Sequence, residues 1–263
     1  MSAGLTVQGL TVRYGRHLVL SGIDLAPMAR GQLVGLIGAN GAGKSTLLKA
    51  LAGLVPASGR IAFEGQDLTD RRRTIGYLPQ SLPHASALLA YEMVAAALQA
   101  GRSNLTQGQA RQRIESVFDR LDIRPLALRR LAELSGGQRQ MVGLAQVIVR
   151  QPSVLLLDEP TSALDLRWQM RVLATVQEDI SQRDGLALIA LHDINLALRF
   201  CPTLLVLTPD GVVQGAADQV LTPDLLRRTY GVEGRVERCS QGFAIVSIDR
   251  ALPLAGRREE KTA

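Results

Sequence analysis

Gly38-Ala39-Asn40-Gly41-Ala42-Gly43-Lys44-Ser45-Thr46 is the stretch on which the fold turns. The compact apolar run Gln32–Ile37 leads into it as a buried strand. Lys44–Leu54 leads out with apolar residues at helical spacing, and the helix is expected to stop near Pro56. Strand, glycine-rich turn and a helix opening on Lys-Ser fit the pattern G-x-x-x-x-G-K-[ST] in full, in the context it requires. Glycines at 38, 41 and 43, with Asn40 between, let backbone N–H groups turn inward around a phosphate chain. The helix N-terminus adds its partial positive charge. Lys44 is expected to reach the β- and γ-phosphates, Ser45 to place its hydroxyl on Mg²⁺, and Thr46 to assist near the α-phosphate. A turn without a ligand is the plainer alternative, and the complete pattern outweighs it.

Upstream of the loop, Leu5–Tyr14 alternates as a strand and Leu18–Leu25 as a shorter one. Downstream, Arg60–Phe63 and Thr74–Leu78 read as short strands. The texture then changes: from about Ser86 to Arg150 the chain is mostly helical, most clearly over Ala90–Leu98 and Ala110–Leu121. Strand signals return at Val154–Leu157, Leu186–Leu191 and Leu204–Leu207, each beside a helical segment. This is a parallel β/α core with a helical insertion at about 82–150. Further on, Val212–Gly215 reads as an edge strand and Asp224–Tyr230 as a short helix. Arg235–Cys239 and Phe243–Ile248 read as a hairpin, giving a short β extension at about 232–250. Residues 1–255 are expected to form one domain, with a frayed polar tail over 256–263.

The second chemical element is Val154-Leu155-Leu156-Leu157 followed by Asp158-Glu159. An apolar strand buried between helices delivers two carboxylates at its carboxyl end, where open α/β sheets bind ligands. Asp158 is expected to hold Mg²⁺ and Glu159 to polarise an attacking water. Adjacent acids alone would more often be a solvated turn; the phosphate loop reverses that weighting. Phosphoryl transfer to water needs little beyond such positioning and charge neutralisation, and no site for a different phosphoryl acceptor is visible.

Composition narrows the alternatives. Aromatic residues make up 3% of the chain, which argues against a sugar cleft or a stacking platform for single-stranded nucleic acid. The net charge of +6 fits nucleic acid, an anionic membrane surface or neither, and its basic residues are scattered without a nucleic-acid-reading motif. Cys201 and Cys239 lack metal-ligand spacing and point to a reducing compartment. No secretion signal is visible and no apolar run is long enough to span a bilayer, so membrane association is expected to be peripheral.

Taken with Leu134-Ser135-Gly136-Gly137-Gln138, these motifs resemble the ATP-binding cassette (ABC) family, in the family's order, from about Leu5 to Val236. The resemblance implies an α/β fold: a P-loop NTPase core of the ABC ATPase type with a mostly parallel sheet, an antiparallel β subdomain and an inserted helical subdomain. It implies ATP hydrolysis with Mg²⁺. Tyr14 is similar to the aromatic that stacks on adenine, and Gln80 to the glutamine that senses Mg²⁺ and the attacking water. Ser135, Gly136, Gly137 and Gln138 match the signature that faces the γ-phosphate held by a second copy. Ser135 can equally cap the helix that follows. Asp165, in Ser162-Ala163-Leu164-Asp165, matches the loop that crosses the dimer interface, or caps the next helix. His192 matches the switch histidine, which bonds the γ-phosphate and orients Glu159 or the water. Met141 and Gln146 depart from the family, standing where many members carry Arg.

The resemblance also implies a partner set. A lone cassette without membrane helices or a long charged insertion resembles an importer subunit, expected to form a homodimer on two integral-membrane permease subunits. An extracytoplasmic solute-binding protein serves such a permease. The chain would lie peripherally on the cytoplasmic face of the inner membrane, and no nucleic acid is implied. Asp193-Ile194-Asn195-Leu196-Ala197 and the segment from Leu221 to Val232 resemble the iron-siderophore, haem and cobalamin branch, which implies an iron chelate as cargo, ferric siderophore before haem, with cobalamin or another metal or chelate as the alternative. An exporter subunit and a DNA- or ribosome-associated ATPase are the alternatives.

Overall fold

The structure, a computed structural model, describes residues 4–69, 71–82, 87–101 and 105–253. The expected tail over 256–263 and the start of the helical stretch at Ser86 lie outside them. Strands β1 (Leu5–Tyr14) and β2 (His17–Met28) pair antiparallel. The alternation of β1 slips between Val7 and Leu10, where Gly9 takes a φ of 60° in a bulge, so both halves keep their apolar side chains inward. Then come β3 (Leu33–Gly38) and α1 (Lys44–Leu51), followed by β4 (Ser58–Phe63) and β5 (Gln66–Asp67). Strands β1, β2, β4 and β5 form one antiparallel sheet in the order β2-β1-β4-β5. Helix α1 ends earlier than the apolar spacing predicts. Gly53 turns left-handed (φ 72°) and the Leu54 N–H donates back to Lys49 O at 2.9 Å, which satisfies an end carbonyl and leaves Leu54 exposed.

A one-turn helix α2 (Arg71–Thr74) leads into β6 (Ile75–Leu78). Between β6 and β7 (Val154–Asp158) the described residues are mostly helical: α3 (Ala90–Ala100), α4 (Gln107–Arg120), two 3-10 turns and α5 (Gly136–Ile148). Next come α6 (Leu166–Arg183), β8 (Leu186–Ala190), α7 (Ile194–Phe200), β9 (Thr203–Thr208) and β10 (Gly211–Ala216). The six-stranded sheet runs β10-β9-β3-β8-β7-β6, parallel except for the edge strand β10. Helices α8 (Ala217–Val220) and α9 (Pro223–Tyr230) precede a hairpin of β11 (Val232–Arg238) and β12 (Ala244–Ala251). The fold is thus α/β with mixed parallel and antiparallel sheets, as the sequence implies.

The strand period of two explains why the central strands read as unbroken apolar runs. Val34, Leu36, Val154, Leu156, Leu186 and Leu188 pack on one face with α1 and the antiparallel sheet. Leu33, Ile37, Leu155, Leu157, Ala187 and Ile189 pack on the other, with side chains of α5, α6 and α7. Both faces are covered, so no polar alternation survives in sequence. At about 25 cal/mol per Å² of apolar surface, each fully buried Leu or Ile contributes roughly 1.5–3 kcal/mol. Met141, one of the two departures from the family, is buried in the second core.

A buried ionic contact ties the helical segment to the core, beside an exposed Arg167–Asp122 pair at 3.5 Å. Asp179 on α6 is 1% exposed. Its Oδ1 accepts from Arg120 Nη1 of α4 at 3.0 Å, and its Oδ2 accepts from Arg183 Nε at 2.9 Å. Arg120 Nη2 also donates to Thr175 O at 3.4 Å, and Thr175 Oγ1 returns a bond to Arg120 O at 3.3 Å. The C-terminal hairpin is tied in by Asn195 of α7: Val246 N–H donates to its Oδ1 at 2.7 Å, and its Nδ2 donates to Val246 O at 3.3 Å.

Two outcomes follow from this packing. Asp179→Ala strands two arginines that keep partial solvent access, so the cost falls at the low end for a broken buried pair, about 3 kcal/mol. Thermal unfolding is expected to show a midpoint lower by about 6–12 °C; an unchanged midpoint would mean that the two arginines are solvated without their acid. Burial pushes the Cys201 thiol up to about 12, so at pH 8 it stays protonated and unreactive in the folded chain. Maleimide is expected to label Cys239 first and Cys201 only on unfolding, as read by peptide mass mapping.

Candidate functional site

The phosphate loop bridges β3 and α1. Gly43 is the N-cap of α1 at φ 98°, a conformation that other residues rarely adopt, and a Cβ there would also press on Leu20 Cδ2 at 2.9 Å. Lys44 is 5% exposed. Its Nζ donates to Gly38 O at 2.8 Å and Ala39 O at 3.1 Å, which holds the ammonium inside the loop. Burial pulls its pKa below the ordinary lysine value, against Glu159 and Asp158, whose charges pull it back up. Asn40, Gly41, Gly43, Lys44, Ser45 and Thr46 line one cavity with Gln80, Glu159 and His192.

The end of β7 supplies the acids. Asp158, 1% exposed, accepts from Ser45 Oγ on Oδ1 at 3.0 Å and from Tyr77 Oη on Oδ2 at 3.2 Å. Burial pushes its carboxyl above the usual range, and the two hydroxyl bonds offset part of that. Burial, reinforced by Asp158, also pushes the Tyr77 hydroxyl up, so it remains a donor at neutral pH. Glu159 is 6% exposed and sits at φ 52°, where a non-glycine residue is strained by roughly 1–3 kcal/mol. Ser162 stabilises that turn: its N–H and Oγ donate to Glu159 O at 3.2 and 3.1 Å. The turn aims the Glu159 side chain into the cavity. Gln80 Nε2 donates to its Oε2 at 2.6 Å, and His192 Nε2 lies 2.6 Å from its Oε1. Both oxygens of this acid are therefore held by residues from the two neighbouring strand ends, β6 and β8.

The residues from 134 to 138 stand elsewhere. Ser135 is the N-cap of α5: its Oγ accepts from Gln138 N–H at 3.2 Å, and Gln138 Oε1 accepts from Ser135 N–H at 3.0 Å. Arg139 Nη1 donates to Leu134 O and fixes the entry to the turn. Gly136 has open space where a Cβ would be, whereas a Cβ on Gly137 would lie 2.9 Å from Ala163 O. Gly137 is thus required by the chain's own packing. Ser135, Gly136, Gly137 and Gln138 share a second cavity with Asp165. Asp165 caps α6, its Oδ1 accepting from Trp168 N–H at 3.1 Å. Both local capping alternatives are therefore realised. None of these residues lines the cavity of the phosphate loop.

Tyr14 is exposed at the end of β1 and is not part of the loop cavity's wall; Val19 of β2 is. Val19 and Tyr77 escaped the sequence reading because each sits in an apolar strand and passes for core. The available signal for Tyr77 was its place three residues before Gln80.

The ABC transporter family matches residues 20–162. The chain is 39% identical over 250 residues to the hemin import ATP-binding protein HmuV of Bordetella parapertussis, covering 88% of this chain and 94% of that protein. It is 40% identical to HmuV of Pseudomonas aeruginosa, covering 89% and 95%. Among solved structures, an ABC transporter in an inward-facing conformation, assigned to the metal-chelate type, superposes with a TM-score of 0.79 at 24% identity, over 94% of this chain and 98% of that one.

Glu159→Gln keeps the size and the turn but loses the carboxylate. It is expected to lower ATP hydrolysis by at least about 100-fold while ATP affinity changes less than a few-fold. Phosphate release and a fluorescent-ATP titration read the two separately. A parallel loss of affinity would place Glu159 in the framework of the loop instead.

Proposed function

This chain belongs to the ABC transporter family, and we propose on that premise that two copies of it form the ATP-driven engine of an importer. The chain binds and hydrolyses ATP. The observation that carries the dimer is the separation just described. One chain holds a loop half, with Lys44, Ser45, Gln80, Glu159 and His192 and with Asp158 bonded behind Ser45, and a signature half, with Ser135 to Gln138, on different cavities. Two chains facing head to tail bring the signature of each to the loop of the other, with Asp165 at the crossing.

The donors suit Mg²⁺. Among the described residues no three His, Cys, Asp or Glu side chains converge as a metal cage. Ser45 and Asp158 instead offer hard oxygens beside the loop, and Mg²⁺ typically takes one or two carboxylates with substrate phosphates. Ser45, Asp158 and Gln80 would hold it, and its charge would neutralise the β- and γ-phosphate oxygens. Lys44 contributes a second positive charge there. Glu159, once Gln80 and His192 turn toward nucleotide, accepts a proton from the attacking water. His192 bonds the γ-phosphate oxygens from the cavity mouth, where its side chain is 48% exposed. Tyr14 stacks on adenine after it swings onto the nucleotide. ATP shifts the pair toward closure because the signature contacts exist only in the closed state.

The helical segment at about 82–150 acts as the moving lobe on a core comprising the rest of residues 1–255, with the extension at about 232–250. Among the described residues no helix is long and apolar enough to cross a membrane. Two separate permease subunits then supply the channel, with the cassettes on its cytoplasmic side and a solute-binding protein outside. The relatives named as hemin importers favour an iron chelate as cargo, hemin before ferric siderophore.

Ser135→Arg is expected to leave ATP affinity of the lone chain within about twofold and to abolish ATP-driven pairing, turnover and hemin uptake in complex with its permease. Retained turnover in that complex would refute the shared site. Uptake of ferric siderophore but not hemin would move the cargo and leave the engine standing.

A further inference from the structure

Tyr77 lies on β6, in register with Leu156 of β7, so Asp158 is its diagonal neighbour two residues on. Residues two apart along a strand share a face, so Asp158 lies on the face of Tyr77, one strand spacing of about 4.8 Å across and about 6.6 Å along, within reach of a side chain of tyrosine's length. The ring packs against the core face shared with the antiparallel sheet, and the hydroxyl emerges at Asp158 Oδ2, 3.2 Å away. Ser45 Oγ holds the other oxygen at 3.0 Å. Three residues beyond Tyr77, Gln80 donates to Glu159. The end of β6 therefore hands one donor to each acid at the end of β7.

We propose that Tyr77 is a positioning residue for the metal-bound nucleotide, pinning Asp158 by its second oxygen so that Ser45 and Oδ1 present a fixed pair of oxygens to Mg²⁺. This rests on the reading of Ser45 and Asp158 as the metal's holders. A serine hydroxyl that donates its proton to Asp158 keeps its lone pairs free for a cation. That arrangement holds only while the carboxylate cannot rotate. Ser45 alone fixes one oxygen and leaves the plane of the group free to turn. With Tyr77 bonded to the other oxygen, the carboxylate is fixed at both ends before the metal arrives, and binding spends nothing on ordering it.

The test uses the full chain, a fluorescent ATP analogue, and titration with Mg²⁺ or with EDTA alone. Tyr77→Phe keeps the ring and removes only the hydroxyl. Affinity in EDTA is expected to stay within about twofold of wild type. The Mg²⁺ concentration that half-maximally strengthens binding is expected to rise about threefold to tenfold, the range for losing the net contribution of one ordinary hydrogen bond. Equal Mg²⁺ curves for the two proteins would overturn the proposal, and so would an equal loss of affinity with and without the metal, which assigns Tyr77 to the framework. A wild-type chain whose ATP affinity ignores Mg²⁺ would remove the metal reading itself, and the inference with it.

Discussion

Everything at the loop depends on β7 lying between β6 and β8, with Asp158 level with the last residue of β8 and one residue beyond the last of β6. That single placement decides who meets Asp158 and Glu159. From β6 come Tyr77 and Gln80, from beyond β8 comes His192, and from the loop after β3 comes Ser45. Two nearly buried acids with no partners would each cost several kcal/mol. Here every carboxylate oxygen has one. The strained φ of Glu159 belongs to the same place: it ends the strand where the Glu159 side chain lines the loop cavity.

The parts legible in the sequence are those in which one short segment carries both its shape and its chemistry. The loop, with its strand before and helix after, fixes the α/β class. The apolar run ending in Asp158-Glu159 fixes where the acids emerge. The helical texture between β6 and β7 shows in the spacing of Ala and Leu. The contacts that were not legible join distant segments. Arg120 meets Asp179 across 59 residues and Tyr77 meets Asp158 across 81. Nothing local marks Arg120 as different from the solvated arginines beside it. Tyr77 is hidden differently: a strand buried on both faces gives no alternation to make its hydroxyl stand out. The apolar Leu54 extends the helical spacing of α1 past its true end, which the left-handed Gly53 closes.

Ser135 shows how one residue serves two scales. Inside the chain it caps α5 and needs no ligand. Its neighbour Gly136 nevertheless faces open space, while Gly137 is pressed against the backbone at Ala163. The local packing thus accounts for one glycine and leaves the other free for an approaching group. In the proposed dimer that group is the nucleotide on the partner's loop, and the lobe carrying α5 moves with it. The Arg120–Asp179 contact would then mark where the lobe stays attached to the core.

The central claim is that a complete site draws its loop from one chain and its signature from another. Mixing two defective chains tests it most directly: Lys44→Ala, which loses the loop, and Ser135→Arg, which loses the signature. In a shared arrangement the mixed pair concentrates both defects in one site and leaves the other intact. Single-turnover ATP hydrolysis by the mixture in the presence of the permease is then expected to recover to at most about half the wild-type amplitude, with neither variant active alone. A mixture as inactive as its components would contradict the account, because it would mean that each chain's signature serves its own loop.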